Sequence, residues 1–380
     1  MKLKCARLIL SALVMLLLAP WQIEAQTPGS PAKSDDVYKK IWKFAEWYKN
    51  DQNPAVQSLL FSGRFQYEYA SINADQGDHS EWNVRRMRVG AKSKLFRTLT
   101  LHGEVELNPE EAEPFYVRLT DMYLQWSRSE TFALTTGKQA TPFTMEGSTS
   151  SKELLTIDRS NLANNMWFPQ EYFPGVAASG DVNGWQYHSG VYSSGEMNRE
   201  FGEFNGSFFT LASIGRDIAD TLGAKEALLR ANYVYQNPDP SNTFTRPLQH
   251  VVSVNFKFED DKWGVRTDVS AAAGYLGQSD LWGLVILPFY NINPKLQIVA
   301  RETYLHSSNP NGVRIATYEN AVVPGRGDRY QEIYAGVNYL FYGHKLKVQS
   351  GAQWGDMDDQ ANDGGEYNGF SWVTGLRVSW

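Results

Sequence analysis

The chain has 380 residues, a formal net charge of −6 at pH 7 and one cysteine. No run of roughly eighteen apolar residues occurs, which excludes a helical membrane span. The acidic balance gives nucleic acid no footing as a partner.

The first residues read as an export signal. Lys2, Lys4 and Arg7 precede an apolar run from Leu8 to Ala19 that is too short to span a bilayer, and small Ala25 offers a cleavage point before Gln26. Residues 1–25 are therefore expected to be a signal peptide. Their removal takes away three basic residues and Glu24, and moves the net charge from −6 to −8. It also removes Cys5, so disulfides, cysteine metal sites and cysteine nucleophiles are excluded from the mature chain.

Residues 26–57 are expected to form a leader on the periplasmic side. Within it, Val37, Ile41, Phe44 and Tyr48 recur at helical spacing among Lys39, Lys40, Lys43, Glu46 and Lys49, which predicts a short amphipathic helix over Asp35 to Asn50. A place near a barrel mouth, or at a contact between subunits, would suit it.

From Ser58 the period changes to two. Leu59, Phe61, Gly63, Phe65, Tyr67 and Tyr69 oppose Leu60, Ser62, Arg64, Gln66 and Glu68. Later segments repeat the pattern: Val252, Val254, Phe256 and Phe258 lie against Ser253, Asn255, Lys257 and Glu259. At the end Phe370, Trp372, Thr374, Leu376, Val378 and Trp380 lie against Ser371, Gly375, Arg377 and Ser379. About sixteen such segments occur, an even number, as a closed barrel with both ends on one side requires. The inward face is ambiguous at 205–214 and 295–307.

Mean hydropathy is only −0.43, yet a barrel that turns every other residue to lipid around a wet lumen has such a value. The 12 Trp, 20 Tyr and 19 Phe would then form interfacial girdles. Short links near Arg97, Ser129, 181–184, 260–261, 291–294 and Gly343 alternate with longer polar ones at 71–81, 237–247, 308–328 and 357–369. Short turns belong to the periplasmic side and long loops to the outside. The expected fold is all-β: a transmembrane antiparallel barrel over residues 58–380, in contact with outer-membrane lipid. A soluble sandwich or propeller would not need this rhythm.

Thr141 to Phe173 is the longest stretch without alternation, and it starts on the outer side as the third extracellular loop. A loop of this length in a compact domain is usually functional. Folded back, it would narrow a pore. Ser148, Thr149, Ser150 and Ser151 supply hydroxyls; Lys138, Lys152 and Arg159 supply positive charge; Phe143, Trp167, Phe168, Tyr172 and Phe173 can pin the loop to the wall. The plainer alternative is a surface loop with solvated charges.

A second basic group, Arg86, Arg88, Lys92 and Lys94, shares one face of the second strand, with Arg85 beside it. On the lipid face each would cost about 2–4 kcal/mol near the midplane, so the row must face the lumen. It either favours anions, as rings of Lys and Arg do, or is neutralised by neighbours such as Glu104 and Glu106. Arg64, Arg230, Arg266, Lys345, Lys347 and Arg377 also read as lumen-facing.

At these residues the chain resembles the phosphate-selective porin O and P family. The matching stretches are Val84–Phe96 (VRRMRVGAKSKLF), Leu119–Trp126 (LTDMYLQW), above all Gly137–Ser160 (GKQATPFTMEGSTSSKELLTIDRS), and AGVNYLFYGHKLKVQSGAQW after Tyr334. The resemblance implies a sixteen-stranded outer-membrane barrel, often trimeric, that takes up phosphate or polyphosphate through a basic constriction. It also implies a third loop inside the lumen. Lys138, Ser150, Ser151, Lys152 and Arg159 fall on the family's motif positions.

Three rivals remain: a non-selective or cation pore, a binding or adhesin barrel with a blocked lumen, and a barrel hydrolase. Against the last, His188 and Ser189 are adjacent in one strand and point to opposite faces. The other histidines lack metal-ligand spacing. No cofactor is called for.

Overall fold

A computed structural model describes residues 33–168, 171–196 and 200–380 of the chain. The expected signal peptide, and the leader as far as Pro31 and Ala32, lie outside the described residues. Helix α1 spans Lys33–Trp42, with Val37 and Ile41 exposed. It is shorter than expected. A single 3-10 turn, Lys43–Ala45, follows, and then a strand, Glu46–Lys49. The aromatic pair Trp47–Tyr48 favours extended backbone, and Trp47 stacks on Phe61 with ring centroids 5.2 Å apart.

The unit that begins at Trp42 and runs to Trp380 is built from sixteen long strands. In chain order they are β1 Val56–Ala74, β2 Gly77–Leu95, β3 Leu99–Leu107, β4 Tyr116–Ser129, β5 Phe132–Ala140 and β6 Tyr172–Val182. Then come β7 Trp185–Gly195, β8 Glu203–Asp217, β9 Glu226–Gln236, β10 Leu248–Glu259 and β11 Trp263–Gly274. The last are β12 Leu281–Asn293, β13 Leu296–Ser307, β14 Arg329–Tyr342, β15 Leu346–Asp358 and β16 Tyr367–Ser379. Each is antiparallel to the next, and β16 pairs with β1 from Gly369↔Ala74 to Ser379↔Arg64, which closes the ring. The short strand Glu46–Lys49 pairs alongside β1, with Lys49 opposite Ser58.

The period-two pattern sorts side chains between the two faces. In β10 Val252 and Val254 are 45% and 51% exposed outward, while Ser253 and Asn255 are buried inward. In β16 Phe370 and Trp372 face out, and Ser371 and Arg377 face in. Outward aromatic pairs mark both ends of the wall. Phe258–Trp263 and Tyr339–Phe341, at 4.8 and 4.7 Å, lie beside the short turns. Tyr67–Trp82 and Trp282–Tyr304, both at 5.3 Å, lie toward the long loops. These are the interfacial girdles expected of a lipid-embedded barrel.

Two expectations change. The connection at 71–81 is no loop: β1 and β2 continue to a two-residue turn at Asp75–Gln76, with Ala74 opposite Gly77. Each of these strands has 19 residues, and at about 3.3 Å per residue they far exceed the roughly 30 Å hydrocarbon layer. Their ends stand in water, where polar side chains suit both faces. The ambiguous faces of β8 and β13 also resolve. Phe209, Leu211, Val299 and Leu305 point inward and are buried, because the lumen there holds apolar protein rather than water.

Placing a charge on the outward side of β10 tests this face assignment. Val254→Arg should lower unfolding free energy in lipid vesicles by about 2–4 kcal/mol. A denaturant titration showing no loss would contradict it.

Candidate functional site

What fills the lumen is the third long loop, L3 (141–171), between β5 and β6. In the strand that leads into it, Gly137 of β5 adopts φ +115, with a position for Cβ only 2.3 Å from the Met122 carbonyl oxygen, so no other residue fits. Two short helices follow, α2 Met145–Ser148 and α3 Asn161–Met166. Thr144 and Ser160 cap them, each hydroxyl accepting a main-chain N–H three residues on, from Gly147 at 3.1 Å and Ala163 at 3.3 Å.

One side of L3 is apolar. Phe143, Met166, Trp167 and Phe168 are buried against inward Phe173, Phe209 and Phe244. Phe168 and Phe173 each meet Phe209, with centroids 4.8 and 4.9 Å apart. Burying each of these rings stabilises the inserted loop by about 1.5–3 kcal/mol. Asp268 on β11 adds a bond, accepting the Met145 N–H at 2.6 Å.

The other side of L3 is held by polar groups of the opposite wall. Arg64 donates to the Ser151 hydroxyl at 2.6 Å, and Gln66 donates to the Ser151 carbonyl at 3.0 Å. Lys347 donates to Leu154 O at 2.7 Å, Asn338 to Leu155 O at 2.8 Å and Arg301 to Asp158 O at 2.7 Å. The surface-loop alternative therefore does not describe L3. Ser148 and Thr149 donate to carbonyls of their own loop at 2.6 and 2.9 Å, and Ser150 is the exposed hydroxyl of the four.

The basic residues of the lumen divide into two kinds. Those at mid-depth are paired. Arg88 donates to Glu106 at 3.0 Å and to the Tyr172 hydroxyl at 2.6 Å. Arg86 binds Gln66 at 3.1 Å and Glu171 at 3.4 Å. Arg159 meets the same Glu171 and donates to Glu146 O at 2.8 Å and Thr149 O at 3.0 Å. Lys138 sits 2.6 Å from Glu200. Glu104, expected beside the β2 row, pairs instead with Arg64 at 3.0 Å.

Arg85 joins this group through a β-bulge. Gln66 pairs with Arg86 but Tyr67 pairs with Val84, so one extra residue turns inward. Arg85 then lies 3.2 Å from Asp158 and 3.8 Å from Glu68.

The second kind has no aspartate or glutamate partner among the described residues. Lys92 and Lys94, lower on β2, are exposed and make no ion pair among the described residues. Lys152 donates to the main-chain oxygen of Trp380 at 2.9 Å; burial, with Arg64 nearby, pulls its ammonium down to about 8. All three stand on the short-turn side of the arginine row.

Toward the long loops lies a cavity of about 720 Å³ lined by Arg85, Arg86, Arg118 and Arg159 from the strands and L3, and by Arg246, Arg314 and Arg326. Arg246 belongs to L5 (237–247); Arg314 and Arg326 belong to L7 (308–328). Arg246 donates to Asn164 O at 2.8 Å, and Arg326 contacts the Gln278 side chain at 3.4 Å. The Arg314 main chain is clasped by Asn161 and Asn165 at 2.7–3.0 Å, while its buried Nε has no partner among the described residues. None of the three makes an ion pair among the described residues. Burial and the other two guanidiniums lower the Arg246 pKa from its ordinary value. This trio escapes sequence reading, since its members come from two loops about seventy residues apart and no motif marks them.

The model of the phosphate-selective porin O and P family matches residues 61–274. Among solved structures, the chain is similar to the outer-membrane OmpT of Vibrio cholerae, at 14% identity and a TM-score of 0.56, over 88% of this chain and 100% of that one. It is also similar to the outer membrane channel DcaP of Acinetobacter baumannii, at 13% identity and 0.55, over 88% and 99%. A third is OprB of Pseudomonas putida, at 9% identity and 0.60, over 85% and 94%. At such identities the likeness speaks for the fold. No curated protein matches the chain by sequence. A family match over more than half the chain, on a closed barrel with a lipid-facing apolar wall, identifies the protein as an outer-membrane porin of the phosphate-selective porin O and P family.

Proposed function

We propose that this porin passes small anions in preference to cations, with phosphate or polyphosphate among them. The observation that carries the reading is where its cations lack counter-charges. At mid-depth, arginines face carboxylates: Arg64–Glu104 and Arg88–Glu106 at 3.0 Å, and Arg301–Glu332 at 2.6 Å. A passing ion meets little net field from such pairs. Above them stand Arg246, Arg314 and Arg326, and below them Lys92 and Lys94, with no ion pair among the described residues. Unpaired charge beside low-dielectric walls raises the local concentration of counter-ions, and such rings set the sign of selectivity in pores. The overall charge of −6 does not oppose this, because the field in the lumen is local.

The same proposal includes export by residues 1–25 and assembly as a trimer. A trimer form is described for the Vibrio cholerae OmpT.

Reversal potential in a salt gradient tests the reading. The purified porin should prefer chloride to potassium, and a reversal potential of cation sign would refute it. Lys92→Glu with Lys94→Glu exchanges two unpaired positive charges for negative ones, and should reduce the anion-to-cation permeability ratio by at least about twofold.

The pH dependence has a defined sign. The Lys152 pKa is lowered to about 8, so this group loses positive charge as pH rises, whereas an arginine guanidinium keeps its charge throughout. Anion preference should therefore fall between pH 7 and 10. In Lys152→Gln the part of that fall near pH 8 should disappear; an unchanged profile would rule out Lys152 as its source.

A further inference from the structure

We propose that the outer cavity binds hydroxylated organic anions, that is, small polyols carrying a phosphate or carboxylate, more tightly than inorganic phosphate. This deepens the anion-porin reading and rests on it. Three features converge on the one cavity.

The first is the trio Arg246, Arg314 and Arg326, drawn from two loops onto one cavity wall without a carboxylate partner among the described residues. Planar guanidinium groups suit the paired oxygens of a phosphate or carboxylate. Each also repels the other two, a cost that a bound anion removes. The carboxylates that do line the cavity are engaged elsewhere. Glu106 holds Arg88 and Arg118, Asp158 holds Arg85, and Glu171 holds Arg86 and Arg159. Glu110 accepts the Val84 main-chain N–H at 2.8 Å.

The second feature is neutral. Asn83, Asn164, Asn320 and Thr317 line the same cavity, and their side chains make no hydrogen bond among the described residues. Asn320 and Thr317 are exposed, and Asn83 and Asn164 are partly so. An amide offers both donor and acceptor. Chloride has no donor to offer it and inorganic phosphate few, whereas a polyol hydroxyl both donates and accepts. Asn164 sits beside the cations, since its carbonyl receives Arg246 at 2.8 Å.

The third feature is size. A volume of about 720 Å³ lies within the roughly 300–1,000 Å³ of sites that hold small organic molecules. A bare oxyanion on the arginines would fill only a small part of that volume.

The test is block of potassium chloride current through the purified full-length porin in planar bilayers, with solute added to the long-loop side. The probes are glucose 6-phosphate, gluconate, inorganic phosphate and glucose. Glucose 6-phosphate should half-block at a concentration about tenfold lower than inorganic phosphate, as one or two added neutral hydrogen bonds would give. Glucose should not block. Arg314→Ala with Arg326→Ala should raise the half-block concentration of both phosphates. Asn164→Ala with Asn320→Ala should raise that of glucose 6-phosphate alone, and bring it close to inorganic phosphate.

Block by gluconate equal to glucose 6-phosphate would support the class with either head group; block by glucose 6-phosphate alone would support it with phosphate as the head. Inorganic phosphate blocking as well as glucose 6-phosphate would overturn the inference, as would an unchanged ratio in the asparagine variant. Either result would leave an anion-selective reversal potential standing, so the failure of this inference is distinguishable from failure of the porin reading.

Discussion

Hydrocarbon offers no hydrogen bonds, so each main-chain N–H and C=O within the bilayer must find its partner in the protein. A sheet with open edges fails that condition. Here β16 lies against β1 along eleven paired residues, from Gly369↔Ala74 to Ser379↔Arg64, and the wall has no edge. Once the wall is closed, each strand has one lipid side and one lumen side. Charge can then sit only on the second, which is why Arg86, Arg88 and Lys92 share the lumen with Glu104 and Glu106.

The lumen is divided by L3. Its aromatic side packs on inward Phe173 of β6 and Phe209 of β8, so this part of the wall is apolar where water would otherwise stand. Its carbonyl-rich side faces Arg64, Asn338, Lys347 and Arg301, whose donors reach across to Ser151, Leu155, Leu154 and Asp158. These side chains are basic or polar, yet their work is to hold a loop. A census of lumen arginines therefore overstates the field that a solute meets. What the solute meets is the remainder: cations at the two mouths without carboxylate neighbours among the described residues.

Much of this was legible in the residues themselves. Strands such as β10 and β16 could be located and faced correctly, because their alternation is clean and the two solvents differ so much. The inserted loop was visible from length alone. Other features were hidden for physical reasons. Polar residues on both faces near Asp75 imitate a loop, because those strand ends stand above the membrane. Phe209 and Leu305 point inward against an apolar loop, so period two cannot tell their faces apart. The bulge at Arg85 breaks the parity that sorted the second strand. Pairings such as Lys138 with Glu200 join residues 62 positions apart, and the Arg246, Arg314 and Arg326 trio exists only after two loops meet. The fold follows from a local period, whereas the charge pattern of the lumen follows from contacts distant in sequence.

The central claim is that a continuous wet path remains beside L3, between the lysines of one mouth and the arginines of the other. Single-channel recording of the purified protein in planar bilayers addresses it most directly. A continuous path predicts discrete current steps whose size grows with salt concentration. Bilayers that stay silent, while the inserted protein is folded and resists heat unfolding in detergent, would show the lumen closed and contradict the claim.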